Sequence, residues 1–428
     1  MRANAGETTV HASGASRTPL QFDAFTIHVA LAGPSLGDFW PLGRLPLPDT
    51  PPYRLEGELS RGPGVWAYRN FKGKVGDSDM SGDVEIEVGG RRPMLRADVV
   101  SHNLDFDDLG VLLNAPPSTK PGETASEQQR RQAQEASASP RVLPDKPYEL
   151  EKFRVMDADV RFKADHIDAP QLPLERMSTH VVLKDGIAKF DPLDFDAAGG
   201  RITSRVSLDA TNPSIETTMA VEVQHLELPK LFPKVEITKA AAGSISGAIA
   251  LDAQGNSVAQ MLGSANGDVG FIMGSGRISN LLLELAGLDV AESLKYLLDQ
   301  KKEVPIRCAY AVFKVEGGVA KTQSLIFDTT DTMLLGQGTI DLREEKLDLR
   351  LDPRPKDVSP VSLRGPLHVG GTFKHPSIRP EPAALAGRIA AAAALYLIAP
   401  PAALLALIEP GPAKKERIDC GPAQREST

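Results

Sequence analysis

The sequence is poor in aromatic residues and has no cluster of basic residues, and these shortages restrict the classes of function open to it. Aromatic side chains make up 5% of the 428 residues, whereas there are 37 glycines and 34 prolines. This balance is typical of many short strands separated by turns. The net charge of -8 argues against nucleic acid as a partner, because phosphate binding needs concentrated Lys and Arg.

Cysteine is almost absent, since the chain contains only Cys308 and Cys420, which lie far apart in sequence. In an oxidising compartment the two residues can pair. In a cytosolic protein, two such cysteines are more often a buried thiol and an unrelated second residue. The sequence taken alone favours the unpaired interpretation.

Long uninterrupted apolar runs are also missing. The first thirty residues hold no basic segment followed by an apolar one, which predicts neither a cleavable signal nor an N-terminal membrane span. The most apolar run is 383–408, which Arg388 and the Pro400-Pro401 pair interrupt. The prolines leave two pieces that are too short to cross a bilayer, so we expect a pair of amphipathic or buried helices there. Contact of this segment with a membrane stays open.

No arrangement of residues points to catalysis or to a bound metal. The eight histidines include no pair at the i, i+4 spacing of a helical metal site. The segment 105–108 lacks the glycine and the distal glutamate of a calcium loop, and the glycine-rich pieces lack the Lys-Ser/Thr of a phosphate loop. We therefore expect no catalytic residue, no metal site and no cofactor, and we expect the protein not to be an enzyme.

The most regular feature of the sequence is an alternation of apolar and polar residues between Phe327 and Phe373. From 361 to 373 the odd positions are apolar or glycine, and most even positions are polar. A period of two predicts β-strands with one apolar face.

A hairpin precedes this segment. If 343–346 form its turn, Leu342 lies opposite Leu347 and Ile340 lies opposite Leu349, which places all four on one apolar face. The residues expected to line this face, and to form a lipid groove if it is left open, are Ile340, Leu342, Leu347, Leu349, Leu351, Val361, Leu363, Leu367, Val369 and Phe373.

An internal repeat indicates that such strands recur. The second copy lies 132 residues after the first, as from 185 to 317. Three segments match in this one register, namely 185–189 with 317–321, 192–196 with 324–328, and 206–209 with 338–341. A repeated meander predicts a sheet in which each unit contacts mainly its neighbours.

The chain divides by composition into four regions. These are an N-terminal β segment at 19–113, a disordered insertion at 114–146, a C-terminal β domain at 147–380, and an apolar, Ala-rich helical segment with a polar tail at 381–428. The insertion lacks large apolar residues and so cannot offset its ordering entropy, although 127–135 can form a transient helix. Short helices are predicted near 278–299 and 383–408, and another at 257–263.

Five phrases occurring in order resemble the bacterial AsmA family. They are Leu47-Pro48-Asp49-Thr50-Pro51-Pro52-Tyr53-Arg54-Leu55-Glu56-Gly57, Val75-Gly76-Asp77-Ser78-Asp79-Met80-Ser81-Gly82, Leu104-Asp105-Phe106-Asp107-Asp108-Leu109, the stretch from Gly255-Asn256-Ser257-Val258 to Met261-Leu262-Gly263-Ser264-Ala265-Asn266-Gly267, and Leu285-Ala286-Gly287-Leu288-Asp289. The resemblance covers nearly the whole chain outside 114–146.

This resemblance implies a protein of the periplasm and inner membrane of a Gram-negative bacterium, similar to bridge-like lipid transfer proteins. It implies a mainly β fold, an elongated and bent repetitive antiparallel sheet that forms a groove. The groove would carry phospholipid acyl chains between the inner and outer membranes and support outer-membrane assembly and lipid homeostasis. Family members normally begin with an N-terminal transmembrane helix, which the first thirty residues here do not contain.

Two alternatives stay open beside the lipid groove. The alternation alone favours a two-layer β-sandwich in which the apolar face is ordinary core, whereas the repeat and the family resemblance favour the groove. A non-conducting periplasmic scaffold that regulates outer-membrane protein assembly would act through an envelope protein partner and would carry no lipid. A carbohydrate-processing enzyme would need paired carboxylates beside aromatic residues, and the spacing links no such pair to either tryptophan.

Overall fold

The structure is a computed structural model that describes residues 2–5, 7–13, 25–39, 47–115, 119, 122–169, 173–231, 242–279, 303–356 and 366–381. Strands account for most of these residues, which confirms the prediction of a mainly β, antiparallel and repetitive fold. The described chain forms two compact units. Unit 1 comprises 1–197, 201–221 and 251–264, and unit 2 comprises 198–200, 222–250 and 265–428.

The strands in the first half of the chain are β1 Arg2–Ala5, β2 Thr8–Ser13, β3 Phe25–Gly33, β4 Tyr53–Gly62, β5 Val65–Val75, β6 Ser78–Glu87, β7 Met94–Ser101, β8 Leu104–Asp105, β9 Asp157–Ala164, β10 Ile167–Asp168, β11 Leu174–Lys184, β12 Ile187–Ala197 and β13 Gly200–Asp209. Those in the second half are β14 Glu216–Glu227, β15 Ser244–Gln254, β16 Asn266–Met273, β17 Gly276–Ser279, β18 Glu303–Glu316, β19 Val319–Thr329, β20 Thr332–Asp341, β21 Lys346–Pro355, β22 Leu367–Thr372 and β23 Pro376–Pro380.

The helices of the described chain are short. They are α1 Glu127–Ala138, α2 Leu150–Arg154, α3 Leu228–Leu231 and α4 Val258–Ser264, with two 3₁₀ helices at Leu36–Phe39 and Phe106–Leu113. Helix α4 confirms the helix predicted at 257–263 to within one residue at each end. The helix predicted near 278–299 does not begin at Ile278, because Ile278 pairs with Val304 in β17. The remainder of that segment, and 383–408, lie outside the described residues.

In unit 1, each strand of the main sheet is hydrogen-bonded to the next one along the chain. The strands in this order are β1 to β7, β9, β11 and β12. Each pair is antiparallel except β7 and β9, which run parallel with Met94 opposite Asp157. A parallel pair requires a crossover connection of a dozen residues or more. The predicted insertion at 114–146 lies in that crossover, which explains its position in the chain.

Helix α1 lies within this insertion, where composition predicts disorder. Its capping box pairs Ser126 with Gln129, and Thr124 just before it donates from both its backbone N and its Oγ1 to the Asp77 carboxylate at 2.7 Å each. After the helix, Pro144 O accepts a hydrogen bond from Ala259 N at 2.9 Å. Hydrogen bonds from polar groups, rather than an apolar stripe, therefore hold the segment in place. Its lack of large apolar residues does not reveal these hydrogen bonds.

The sequence repeat is confirmed by identical strand bounds in the two copies. Strands β12 and β13 begin at 187 and 200, while β19 and β20 begin at 319 and 332 and have the same lengths as their counterparts. The turns also match, because Asp185-Gly186 and Gly317-Gly318 have positive φ at both positions. Glycine tolerates this left-handed backbone at little cost, which fixes the place of the turn in each copy.

Cys308 on β18 is disulfide-bonded, which corrects the expectation of an unpaired thiol. The only other cysteine of the chain, Cys420, lies outside the described residues. Sequence spacing carries no information about this bond, because a pairing between distant cysteines depends on the tertiary structure.

Candidate functional site

Six of the ten residues predicted to line an apolar face do share one in unit 2. Leu349 lies opposite Val369, Leu351 lies opposite Leu367, and Ile340 lies opposite Leu347 across neighbouring strands. Leu342 lies in the turn after β20, and Phe373 follows the end of β22. Val361 and Leu363 lie outside the described residues.

The predicted register of the β20–β21 hairpin was wrong. The turn comprises 342–345 rather than 343–346, and Ile340 faces Leu347 instead of Leu349. The cause is Asp341, whose Oδ1 accepts hydrogen bonds from the backbone N of Arg343 at 2.9 Å and of Glu344 at 2.8 Å. An aspartate that bonds to the backbone two residues ahead starts a turn, which ends β20 at this residue.

The same face continues across seven neighbouring strands, which are β16 and β18 to β23. Val269 pairs with Phe313, and Phe271 pairs with Ala311, which in turn lies opposite Leu325. We call this surface the unit 2 apolar face. Its members in the described strands are Val269, Phe271, Met273, Val304, Ile306, Ala309, Ala311, Phe313, Val315, Ala320, Leu325, Phe327, Leu334, Ile340, Leu347, Leu349, Leu351, Leu367, Val369 and Ile378, together with glycines, prolines, Thr322, Thr329 and Thr332.

This face is buried toward both ends of its strands, at Leu367 on one side and at Val315 and Ala320 on the other, and is only partly covered between them. Leu367 is 3% exposed and packs in a cluster with Met273, Val304 and Ile306. Farther along the strands, Leu349 and Val369 are only half-buried, and Ile378 is 67% exposed. In a two-layer sandwich the inner side chains along the whole length of each strand would be buried as Leu367 is.

Unit 1 carries a second face of the same kind, which the choice of site residues from the sequence missed. Apolar side chains lie opposite one another on successive strands of this face. Ile27 lies opposite Leu59, Leu59 opposite Tyr68, and Tyr68 opposite Val84. We call it the unit 1 apolar face, and it comprises the corresponding side chains of β3 to β7, β9, β11 and β12. The alternation of Phe25, Ile27, Val29 and Leu31 in the sequence is the signal that could have found it.

The unit 1 face is covered at one end of its strands. Tyr53, Leu55, Phe71 and Val75 form a buried cluster to which Leu36 of the first 3₁₀ helix contributes. Leu104, Ala164, Ile167 and Met177 form another, against Phe106 and Leu109 of the second 3₁₀ helix. At the opposite end of β3 to β7, Trp66, Ile86 and Leu95 are only half-buried.

The reverse side of unit 1 is polar and carries a cleft. The cleft has a volume of about 1400 Å³ and is lined by Arg54, Lys72, Lys74, Asp79 and the start of helix α1. Its ion pairs include Lys72 with Glu56 at 3.4 Å, and both side chains are well exposed to solvent. Exposed pairs of this kind contribute little to stability, so this side is a solvated surface.

Three carboxylates gather at the edge of this surface, where Asp77, Asp105 and Glu123 have oxygens within 4.8 Å of one another. Burial, followed by the neighbouring carboxylates, raises the pKa of Glu123 above its usual range. Oxygen ligands suit Mg²⁺ or Ca²⁺. Exposed acidic groups also gather without an ion. Both carboxylate oxygens of Asp77 already accept hydrogen bonds from Thr124, so we assign the cluster no cation.

Asp108 beside this cluster is buried and holds the β5–β6 turn. Its Oδ2 accepts hydrogen bonds from Asp77 N, Ser78 N and Ser78 Oγ at 3.0, 3.0 and 2.6 Å. These bonds favour the ionised form, but burial outweighs them and raises the pKa of Asp108 to about 6.

We expect a pH-dependent loss of stability from Asp108. Because its folded pKa is above its unfolded value, the folded state binds a proton more tightly between about pH 4 and pH 6, and stability falls as pH rises through that range. Urea unfolding of the wild type and Asp108→Asn at both pH values measures this. Relative to the variant, the wild type should lose on the order of 2 kcal/mol on going to the higher pH. A constant difference would contradict the prediction.

In the described part of the chain, no helix combines the length and the apolar character needed to span a bilayer.

Comparison with known proteins gives two matches that cover most of the chain. The family model described as AsmA family matches residues 4–325. The AsmA family protein YhjG of Escherichia coli (strain K12) is 35% identical over 403 residues, which are 93% of this chain and 59% of that protein. The chain therefore spans about three fifths of the length of this curated relative. No solved structure matches the chain significantly.

Proposed function

The chain belongs to the AsmA family, and from that premise we propose that it is a cell-envelope protein that binds phospholipid by its acyl chains. Membership of this family suggests an envelope-associated role in lipid transport or assembly. The finer proposal is that the chain moves phospholipid between the inner and outer membranes and thereby supports outer-membrane assembly and lipid homeostasis.

The observation that supports this proposal most directly is the unit 2 apolar face. Side chains such as Ile340, Leu349 and Val369 share one side of neighbouring strands yet are only partly buried. Each Val, Leu or Ile gains roughly 1.5–3 kcal/mol when it is fully withdrawn from water. Acyl chains laid along the face would supply that burial without a second protein layer.

The chemistry of the face suits a hydrocarbon chain rather than a polar ligand. Among its described positions there is no charged side chain. Glycines on the face leave room for large side chains on the neighbouring strand. At Gly336, for example, a Cβ atom would come within 2.2 Å of Leu325 Cδ2. A surface with few hydrogen-bonding side chains binds mainly by apolar area and tolerates different acyl chains.

We propose the periplasm and the inner membrane of a Gram-negative bacterium as its location. The disulfide at Cys308 supports this, because disulfides persist in oxidising compartments such as the periplasm. Because the chain matches only part of its relative, anchoring to either membrane and an envelope protein partner are proposals about the whole protein.

The test is mass spectrometry of lipids extracted from protein purified without detergent. We expect phospholipid in at least equimolar amount. A stable protein free of lipid would overturn the proposal, and the alternative of a non-conducting scaffold that regulates outer-membrane protein assembly would take its place. A specific partner captured by crosslinking would then be expected.

A further inference from the structure

One charged side chain lies on the unit 1 apolar face within its described strands, and it is Arg61 at the end of β4. The register places Arg61 opposite Phe25 on one neighbour and opposite Trp66 on the other, in the same row as Ile86 and Leu95. The other residues in that row are apolar. A guanidinium among them loses hydration and requires compensation.

Arg61 has no carboxylate partner among the described residues. Its guanidinium carbon instead lies 4.9 Å from the centroid of the Trp66 ring. The edge of the same indole meets Phe25 at a centroid distance of 6.0 Å and an interplanar angle of 76°. A cation over an aromatic face is stabilised only modestly, and its N–H groups stay available as donors.

The position of Arg61 matters as much as its chemistry. It lies at the end of β3 to β5 that is remote from the buried cluster of Tyr53 and Val75, beside the exposed turn at Pro63-Gly64. Val88, which closes that turn by a hydrogen bond from its N to Gly64 O, is 40% exposed. The face therefore runs from a covered apolar end to an open end that carries a single cation.

This polarity matches an amphiphile with one charged end. We infer that Arg61 and Trp66 bind the anionic head group of a lipid whose acyl chain lies on the unit 1 apolar face. Arg61 supplies a forked donor for phosphate or carboxylate oxygens. The Trp66 Nε1–H makes no hydrogen bond to the described residues and supplies a second donor. The inference rests on the proposed function and adds to it a head-group class and an orientation.

Binding of two lipids that share their acyl chains and differ in charge tests the inference. The probes are dioleoyl phosphatidylglycerol and dioleoylglycerol, offered to the lipid-stripped full chain. We expect the wild type to prefer the anionic lipid about tenfold, the size expected for one charge-assisted hydrogen-bonded contact. Arg61→Gln should remove the preference and keep the binding of dioleoylglycerol.

The matched control is Arg54→Gln in the same strand. Arg54 is exposed on the polar side of β4 and is not on the apolar face, so its loss should leave the preference unchanged. Inorganic phosphate is the probe for the head group alone. Because the acyl chain contributes most of the affinity, phosphate at the lipid concentration should not compete; competition would assign the site to a free anion and overturn the inference.

A second measurement tests the orientation without altering Arg61. In a Trp40→Phe protein, Trp66 is the only tryptophan. Phosphatidylglycerol brominated near the head group should quench its fluorescence more than the same lipid brominated near the methyl end. Equal or reversed quenching would overturn the inference while leaving acyl binding intact. If the wild type bound neither lipid, the proposed function itself would fail.

Discussion

We expect Val369→Asp to lose at least about nine tenths of the phospholipid bound on the unit 2 apolar face while remaining folded. Val369 is half-buried on the unit 2 apolar face opposite Leu349, so a carboxylate there stays partly hydrated in the free protein. An acyl chain laid across it would have to dehydrate the charge, at a cost that weakens binding about tenfold or more. Lipid mass spectrometry after detergent-free purification measures the loss.

The matched control for this variant is His368→Asp. His368 adjoins Val369 in the same strand, but its side chain lies on the opposite side of the sheet, 3.7 Å from the Asp348 carboxylate. It should retain lipid at the wild-type level. Unfolding of Val369→Asp, rather than selective loss of lipid, would show that the face is a closed core.

We expect Leu367→Ala to lower the free energy of unfolding by about 3 kcal/mol. Leu367 is on the same face and strand as Val369 but is 3% exposed within the cluster of Met273, Val304 and Ile306. Its truncation leaves a cavity that these neighbours cannot fill. Denaturant unfolding followed by circular dichroism gives the change.

Val369→Ala completes this comparison, since it removes a side chain that solvent already reaches in part. Its expected cost is below about 1 kcal/mol. Equal costs at the two positions would contradict the interpretation that Val369 lies on a part of the face that is only partly covered.

The regular parts of this fold were accessible from the sequence because they follow from local pattern. The alternation of Leu347, Leu349 and Leu351 defined one side of β21, and the register confirms it. The repeat was visible because the turn at Asp185-Gly186 recurs at Gly317-Gly318, where the backbone has positive φ. Both the strand face and the position of the turn are determined by residues that are close together in the sequence.

The remainder depended on contacts that local pattern does not contain. The register of the β20–β21 hairpin depends on one hydrogen-bonding side chain, Asp341. The polar residues that follow it are compatible with more than one turn position, so local pattern alone does not fix the register. Helix α1 is anchored through Thr124 to Asp77, 47 residues away.

The candidate site was found only in part for the same reason. Alternation identified Ile340, Leu349 and Val369 as members of one face, but it does not distinguish them from Leu367, which is buried. The difference arises from Met273 and Ile306, which reach Leu367 from strands far away in sequence. Burial along a strand is a tertiary property.

The identical strand bounds of the two repeats mean that one copy could replace the other without a change in strand length. An exchange that joined Ala197 directly to Thr330 would delete 198–329, one full repeat, and β20 would then follow β12 as it now follows β19. The reverse exchange would duplicate the same unit. Loss or gain of one full repeat would therefore preserve the length of each strand in the unit and the spacing between its turns.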